Sequence, residues 1–314
     1  MKSKVLFIAG YSRSGSTLLD CLLGQLPGFF STGEFAYIWT HGLVENRLCG
    51  CGARFLECPF WSKVGDEAFG GWDGVDVDAM LALERSVNRH RFLPLLALPN
   101  PPGEYGAKLR EYAEVLGTLY GAIRKTADAR VIVDSTIDPA YGFLLRHVPD
   151  LDLRLVHFTR DSRATAFSWT RWQRRTDRVD ALVYQRRFRP AATAVRWDVY
   201  HALVHLLARL NHGSLFARYE DLVRSPRDEI RRIAEYAGEH VREEDLTFVV
   251  GDTAELKPNH TFAGSLMRLR PGSVRVREDD EWRTSLPESD CRLVTALSWP
   301  LLRVYGYVAS GGGR

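Results

Sequence analysis

A short loop near the start of the chain, residues 10–17, constrains the fold more than any other segment. It follows an apolar run, residues 5–9, that is typical of a buried strand, and it precedes residues 18–23, which are typical of a helix. A strand, a loop of small residues and a helix form an arrangement that binds phosphate, because loop N–H groups converge on the anion and the helix dipole favours negative charge. The segment therefore predicts an anion site in an α/β fold.

The loop has the spacing G-x-x-x-x-G-x-[ST] of a nucleotide phosphate loop, with one departure. Ser16 stands where nucleoside triphosphatases and kinases have the lysine that reaches the β- and γ-phosphates. A cation occurs earlier in the loop instead, at Arg13, whose guanidinium can form two parallel hydrogen bonds to a terminal oxyanion. The loop therefore disfavours γ-phosphate transfer, although a nucleotide kinase or NTPase with a degenerate loop stays open as an alternative.

The order Arg13-Ser14-Gly15-Ser16-Thr17 resembles the 5′-phosphosulfate loop of the sulfotransferases that use 3′-phosphoadenosine-5′-phosphosulfate (PAPS). Their pattern is Lys/Arg-Ser-Gly-Ser/Thr-Thr after the first strand, and the Arg form looks most like the carbohydrate and bacterial branches. The resemblance implies a PAPS-dependent sulfotransferase, with PAPS as co-substrate and 3′,5′-phosphoadenosine (PAP) as product. It also implies that the phosphosulfate is bound by Arg13, Ser14, Gly15, Ser16, Thr17 and Leu18.

Further along the chain, short apolar strands alternate with helices, which favours a parallel sheet covered on both faces. Candidate strands end near Asp134, Arg160 and Tyr219. Because ligands of such sheets bind at the carboxyl ends of strands, we expect these residues to meet the loop around one ligand. We expect a three-layer α/β phosphate-loop fold in one domain, residues 1–314, with residues 60–128 as a helical and loop insertion that forms a lid on the acceptor side.

Composition narrows the class of protein. The 314 residues are 45% hydrophobic and 26% charged, which is typical of a soluble globular protein, and the net charge of +3 gives no reason to expect nucleic-acid binding. No apolar run approaches the roughly 18 residues of a membrane span, and no signal-peptide pattern precedes the first strand. We therefore expect a cytoplasmic protein that has neither a nucleic-acid partner nor a membrane span.

Two candidate donor contacts lie at later strand ends. The resemblance implies that Arg160 and Ser168 hold the 3′-phosphate of the donor and that Tyr219 lies near the adenine. A strand-end Arg with a hydroxyl nearby also suits a phosphate on chemical grounds. As alternatives, Arg160 could form a salt bridge with Asp161 or Asp134, and Tyr219 could be a core residue.

A late Arg-rich segment, interrupted by Pro and Gly, is a candidate anion-facing flap. The resemblance implies that a basic, Gly-containing loop closes over the nucleotide at this point of the chain, although the match here is only approximate. The alternative is a solvated basic loop. We expect the donor contacts to come from Arg268 and Arg270 before Arg275 and Arg277.

Sulfuryl transfer needs a group that takes the proton of the acceptor hydroxyl. Glu34, in a Thr-Gly-Glu turn after the first helix, is the leading candidate, and the resemblance implies a catalytic Glu at this point. Arg13 is expected to stabilise charge on the leaving phosphate. Alternatively, Glu34 caps the next helix, or the base is one of the histidines His41, His157 and His260.

The identity of the acceptor is not indicated by the sequence. We expect a hydroxyl of a carbohydrate, a lipid or a small natural product. Many relatives have a Lys after Asp-Ser-Ser at the end of the second strand, whereas this chain has Asp134-Ser135-Thr136 without one. A nucleotide-binding protein without catalytic activity also stays open as an alternative.

Three cysteines, Cys49, Cys51 and Cys58, lie close together in the sequence. Their C-x-C-x6-C spacing does not match the usual C-x2-C pairs of zinc sites, and a structural zinc needs four ligands. His41 could supply a fourth ligand. We expect buried structural thiols instead, and we expect no metal in the reaction.

Overall fold

The computed structural model describes residues 2–172, 174–177, 183–184 and 186–308. Its strands are β1 (Ser3–Gly10), β2 (Phe29–Gly33), β3 (Val131–Ile137), β4 (Leu151–Thr159), β5 (Arg174–Arg175), β6 (Val183–Tyr184), β7 (Leu215–Arg218), β8 (Val249–Val250), β9 (Thr253–Leu256) and β10 (Gly272–Arg275). Its α-helices are α1 (Ser16–Leu23), α2 (Pro59–Phe69), α3 (Val77–Val87), α4 (Leu93–Leu96), α5 (Gly103–Ala127), α6 (Pro139–Leu145), α7 (Ser162–Thr170), α8 (Pro190–Leu210), α9 (Tyr219–Arg224), α10 (Pro226–Tyr236), α11 (Trp282–Ser285) and α12 (Glu288–Val304). Over the described ranges, no helix has both the length and the apolar character needed to cross a membrane.

The central sheet has five strands in the order β2-β3-β1-β4-β7, and every neighbouring pair is parallel. The carboxyl ends of all five strands therefore lie along the same edge. Gly10 pairs with Phe158 and Thr159 pairs with Arg218, so the residues that follow β1, β4 and β7 emerge side by side. The expected α/β fold with a parallel sheet is confirmed.

Both faces of the sheet are buried. Successive side chains of β1 point to opposite faces, so alternate residues of this strand enter two different cores. Val5, Phe7 and Ala9 contribute to the core shared with α5 and α8, whereas Leu6 and Ile8 contribute to the core shared with α1 and α10. All five side chains are fully buried. This three-layer packing fixes β1, and with it the loop that leaves its carboxyl end.

The region between β2 and β3 contains α2 to α5, within which the sequence predicts an inserted lid. It packs on the sheet: the Trp39 indole donates to the Tyr112 hydroxyl at 3.0 Å, and the Tyr120 hydroxyl donates to Asp134 of β3 at 2.6 Å. Trp39, Tyr112 and Tyr120 are fully buried and belong to the core on that face. The region thus forms one wall of the molecule, and its movement as a lid stays a prediction.

Candidate active site

The loop between β1 and α1 has a backbone conformation suited to anion binding. Gly15 caps α1 with φ 87°, and Arg13 has φ 73°, which is strained for a residue with a side chain. α1 begins at Ser16, so the N–H groups of its first turn lie at the end of the loop. A Cβ at position 15 would lie 2.5 Å from Cδ2 of Tyr219. Both φ and the available space therefore require glycine at position 15.

Arg160 and Tyr219 complete a cluster at this edge of the sheet. The guanidinium of Arg160 lies over the Tyr219 ring, with Cζ 4.6 Å from the ring centroid. Its Nη1 donates to the carbonyl of Arg13 at 3.4 Å, and only 6% of Arg160 is exposed. The structure therefore brings Arg13, Gly15, Arg160 and Tyr219 together, as the register of the parallel strands requires.

The salt-bridge partner of Arg160 comes from the late segment. Its Nη2 donates to the backbone carbonyl of Asp279 at 3.0 Å and to Oδ2 of the same residue at 3.2 Å. Asp161, one of the partners considered from the sequence, instead caps α7. The Tyr219 hydroxyl donates to the carbonyl of Arg277 at 3.0 Å. Residues 277–279 therefore cover the pair formed by Arg160 and Tyr219.

The arginines of the late segment occupy different environments. Arg268 is 1% exposed and forms an ion pair with Asp177 at 3.1 Å. It also donates to the carbonyl of Leu48 at 2.7 Å and to that of Thr261 at 3.3 Å. Its guanidinium therefore joins the late segment to the segment that carries the cysteines. The other members are exposed, namely Arg270, Arg275 and Arg277.

Two buried polar atoms of the cluster have no hydrogen-bond partner within the described part of the chain, namely Ser14 Oγ and Arg160 Nε. Ser168 lies half-buried in α7, the helix that follows Arg160. Buried polar groups normally have partners. A hydroxyl and a guanidinium N–H beside a helix N-terminus are chemically suited to phosphate or sulfate oxygens.

Glu34 lies directly after β2, half-buried and at the start of a short 3₁₀ turn, Phe35–Tyr37. A Cβ at Gly264 would lie 3.5 Å from Thr17 Oγ1 and 4.0 Å from Glu34 Oε1, so these two side chains flank the same glycine. The Thr17 hydroxyl accepts a hydrogen bond from the N–H of Ser265 at 3.3 Å. The candidate base therefore lies near the N-terminus of α1, next to the loop.

The three histidines considered as bases lie in different places. His157 is buried with its Nε2 2.8 Å from Nδ1 of His201, and burial lowers the pKa of His157 to about 3. His260 lies beside Cys58, with 3.3 Å between Nδ1 and Sγ. His41 stacks on Tyr37 and lines the cavity described below.

Two buried carboxyl groups lie close enough to interact electrostatically. Burial raises the pKa of Asp20 in α1 to about 7 and that of Asp134 in β3 to about 6. The Ser31 hydroxyl donates to Asp20, and the hydroxyls of Tyr120 and Thr136 each donate to Asp134 at 2.6 Å. These hydrogen bonds fix the carboxyls in the interior, below the turn that carries Glu34.

A cavity of about 690 Å³ opens beside that turn. It is lined by residues 36–45, by the end of α3 and the residues after it, and by the start of α6. Asp138 caps α6 and contacts the His90 ring at 2.9 Å, and this hydrogen bond raises the pKa of His90. Residues 81–90 of this lining fall within the predicted acceptor-side insertion, residues 60–128, whereas residues 36–45 and 136–141 lie outside it.

The parallel sheet with a glycine-containing anion loop after its first strand defines a phosphate-loop α/β protein. Residues 3–256 match the family model of the sulfotransferase domain, so the chain belongs to the sulfotransferase family and is an enzyme of that class. No curated protein matches the chain in sequence.

Three solved structures are similar to this chain, and the first of them supports the fold. The sulfotransferase domain from the curacin biosynthetic pathway has a TM-score of 0.50 and 16% identity, over 95% of this chain and 98% of that one. Sulfotransferase STF9 from Mycobacterium avium has a TM-score of 0.45 and 16% identity, over 97% and 77% of the two chains. Retinol dehydratase, in a complex with androsterone and the inactive cofactor PAP, has a TM-score of 0.37 and 15% identity, over 95% and 80%. At 16% identity, the likeness to the curacin-pathway domain concerns the fold alone.

Proposed function

We propose that this enzyme transfers the sulfuryl group of PAPS to a hydroxyl of a polar small molecule or carbohydrate. Sulfotransferases of this family use PAPS. The observation that carries the proposal is the cluster of Arg13, Gly15, Arg160 and Tyr219 at the end of β1, in which Ser14 Oγ and Arg160 Nε have no partner within the described residues. The phosphate and phosphosulfate groups of the nucleotide would supply oxygen atoms that accept hydrogen bonds from these two groups.

In the proposed donor site, the N–H groups of residues 14–18 and the guanidinium of Arg13 bind the phosphosulfate. Arg160 and Ser168 bind the 3′-phosphate, and the Tyr219 ring contacts the adenine. A 3′-phosphate would compete with Asp279 for Arg160, because both are anions that accept from the same guanidinium. Arg270, which is exposed, is free of the buried contacts that hold Arg268, and only Arg270 is kept as a donor contact from the late segment.

In the proposed reaction, the acceptor oxygen attacks sulfur while the bond from sulfur to the leaving phosphate oxygen breaks. Glu34 takes the proton of the hydroxyl, and the electron pair of the broken bond remains on PAP. Arg13 and the loop amides stabilise the charge that develops on the leaving phosphate. The position of Glu34 supports this role, because Glu34 and Thr17 of the donor loop flank the same glycine, Gly264.

The lining of the cavity supports a polar acceptor rather than a lipid. Charged side chains line it on several sides, including Glu84, Arg85, Asp138 and His90, and the Tyr37 ring contributes an aromatic face. A long apolar chain would exclude water from these charged and polar groups, which is unfavourable. Sugars combine hydroxyls with C–H faces, so a carbohydrate or a polar natural product fits this lining.

Nucleotide binding tests the donor. Calorimetric titration should show tight binding of PAP, weak binding of AMP, and no magnesium-dependent binding of ATP. Arg160→Ala should weaken PAP by at least about tenfold, since hydrogen bonds to charged groups contribute roughly 1.5–3 kcal/mol, and should change AMP little. Preference for ATP with Mg²⁺ would favour the kinase alternative and overturn the proposal.

An acceptor screen with PAPS labelled in the sulfate group tests the reaction. With an accepted glycan or polar hydroxyl compound, Glu34→Gln should reduce kcat by about 10²–10⁴-fold, the usual contribution of a general base. PAP affinity should be unchanged. The matched control is Glu111→Gln, on the exposed face of α5, which should retain full activity. Equal kcat in both variants would show that Glu34 is not the base, and no transfer to any hydroxyl would favour a binding protein.

A further inference from the structure

The three cysteines and one histidine form a compact cluster. The Sγ atoms of Cys49, Cys51 and Cys58 and a ring nitrogen of His260 all lie within 4.8 Å of one another. Cys51 Sγ is 3.6 Å from Cys58 Sγ. His260 Nδ1 is 3.3 Å from Cys58 Sγ and 3.8 Å from Cys49 Sγ. Four potential ligand atoms of the kinds that bind zinc therefore converge on one point.

These separations are close to the edges of a zinc tetrahedron. With Zn–S bonds of about 2.3 Å and Zn–N bonds of about 2.05 Å, tetrahedral geometry gives S–S edges of about 3.8 Å and S–N edges of about 3.6 Å. The three measured distances, 3.6, 3.3 and 3.8 Å, lie within about 0.3 Å of those edges. The expectation of no metal rested on the spacing of the cysteines and on the lack of a fourth ligand. His260, about 200 residues later, provides that ligand, whereas His41 stacks on Tyr37.

The backbone fixes the positions of the cysteines. Leu48 and Arg54 form a β-bridge, and the N–H of Cys49 donates to the carbonyl of Ala53 at 2.8 Å, which closes a tight turn around Cys51. Cys58 occupies the N-cap position of α2. Backbone contacts, which do not involve sulfur, therefore hold Cys49 and Cys51 in the turn and Cys58 at the start of α2.

His260 is held against the same helix by two independent contacts. The Trp61 indole donates to the His260 carbonyl at 2.7 Å. The Phe60 ring stacks on the imidazole, with centroids 5.0 Å apart and 16° between planes. The imidazole orientation is thus set in advance, which reduces the entropy that a metal ion would have to offset.

We propose that Cys49, Cys51, Cys58 and His260 form a structural zinc site. All four coordination positions come from the protein, which is the mark of a structural rather than a catalytic site. Cys49 and Cys58 are fully buried. Soft thiolate ligands with one imidazole in tetrahedral geometry favour zinc over magnesium, calcium or manganese.

The site would join two segments that are distant in the sequence. The N–H of Gly50 donates to the carbonyl of Thr261 at 2.8 Å, and Arg268 bonds to the carbonyls of Leu48 and Thr261. The second segment continues to Gly264, which Thr17 and Glu34 flank. A zinc ion at the cluster would therefore fix the position of the segment that continues to Gly264, beside the candidate active site. The ion itself would not touch the reacting groups.

Metal content and cobalt binding test the proposal in the full-length chain. Protein produced in zinc-containing medium and purified without chelator should contain about one zinc per chain by mass spectrometry. Titration of the reduced, metal-free protein with Co²⁺ should give the intense visible bands of tetrahedral cobalt and the near-ultraviolet thiolate-to-cobalt band. Cys51→Ser should lower zinc content at least about tenfold and weaken the thiolate band, whereas Cys291→Ser, remote in the sequence, should change neither.

Two outcomes would overturn the proposal. One is reduced protein that is folded by circular dichroism yet binds neither zinc nor cobalt. The other is a cobalt spectrum that is the same in Cys51→Ser as in the unmodified chain. If the protein is isolated with a disulfide between Cys51 and Cys58, the titration is made after reduction and the same criteria apply. Because Co²⁺ binding to the unmodified chain is read directly, the test does not depend on a variant that folds.

Discussion

The proposed donor side and the proposed acceptor side of the candidate site are built in different ways. The donor side is formed by backbone at the ends of adjacent parallel strands, and its central position, Gly15, accepts no side chain. The acceptor cavity is lined by charged side chains on a turn and on the ends of helices. The first arrangement leaves little freedom for substitution, whereas the second can change its specificity one residue at a time. Donor binding should therefore be more sensitive to mutation than acceptor binding.

The largest expected effect is that of Gly15→Ala. The new Cβ would lie 2.5 Å from the Tyr219 ring, in a backbone conformation with φ 87°. Left-handed strain and overpacking together should reduce the free energy of unfolding by roughly 2–5 kcal/mol. PAP affinity should fall at least about tenfold, because the loop can relax only by moving its N–H groups. Urea denaturation and calorimetric titration measure the two effects.

The matched control for that variant is Gly121→Ala. Gly121 lies within α5, and a Cβ there would have no atom within 4 Å. Replacing a helical glycine by alanine should raise the free energy of unfolding by up to about 1 kcal/mol and leave PAP affinity unchanged. Normal PAP binding by Gly15→Ala would contradict the expectation that donor binding is more sensitive to mutation than acceptor binding.

An intermediate effect is expected at Asp20, beneath the loop. Its pKa is raised to about 7 by burial, with further contributions from the charges of Asp134 and Glu34. A carboxyl whose pKa is raised in the folded state contributes stability below the unfolded value, and this stability is lost as the pH rises through the folded value. The Asn side chain has the same shape and is neutral at every pH, so Asp20→Asn does not lose stability as the pH rises. Relative to the unmodified chain, the variant should therefore gain roughly 3–4 kcal/mol between pH 4 and pH 8.

Chemical denaturation at pH 4, 6 and 8 measures this difference. The exposed Asp73 provides the control, because Asp73→Asn, a surface substitution, should change the free energy of unfolding by less than about 0.5 kcal/mol at each pH. A constant difference for Asp20→Asn would mean that the Asp20 carboxyl is ionised normally.

The smallest effect is expected on the acceptor side, at Asp138. Its contact with His90 raises the pKa of His90, so the pair stabilises the fold below the ordinary pKa and loses that contribution as the pH rises through the raised value. Asp138→Asn keeps a side chain that can cap α6. The variant should lower the pKa of His90 and reduce stability at pH 6 by less than about 1 kcal/mol, because the pair is partly exposed.

A titration of the His90 ring by NMR measures the pKa, and denaturation at pH 6 and pH 9 measures the stability. PAP affinity should be unchanged in Asp138→Asn, whereas KM for an acceptor should change. A loss of PAP affinity comparable to that of Gly15→Ala would contradict the separation of the two sides.

The fold, and the meeting of Arg13, Gly15, Arg160 and Tyr219 at one edge of the sheet, could be predicted because their determinants are local. The glycines and small residues of loop 10–17 follow a strand directly, and strand ends at Arg160 and Tyr219 are visible as apolar runs that stop. Parallel pairing then brings these ends together without further information. Glu34 was predicted as the base on its position in the chain, and that role stays a prediction.

The remaining features depend on pairs of side chains that are distant in the sequence. An arginine in a basic segment looks the same whether it faces an anion or, as Arg268 does, is buried against Asp177 and two carbonyls. The pairing of Arg160 with Asp279 is equally hidden, since 119 residues separate them. The cavity proposed for the acceptor collects residues from three separate stretches. Local sequence patterns carry no information about contacts between residues that are distant in the sequence.

The position of Gly264, between the side chains of Thr17 and Glu34, has a consequence for synthesis of the chain on the ribosome. The phosphate loop, residues 10–17, is made long before Gly264 and before Asp279, the aspartate that pairs with Arg160; both follow residue 256, where the family match ends. Chains generally fold from the N-terminus as they emerge. A nascent chain can therefore form most of its sheet while this edge is still incomplete, because the edge also needs Gly264 and Asp279, which are made more than 40 residues after β7.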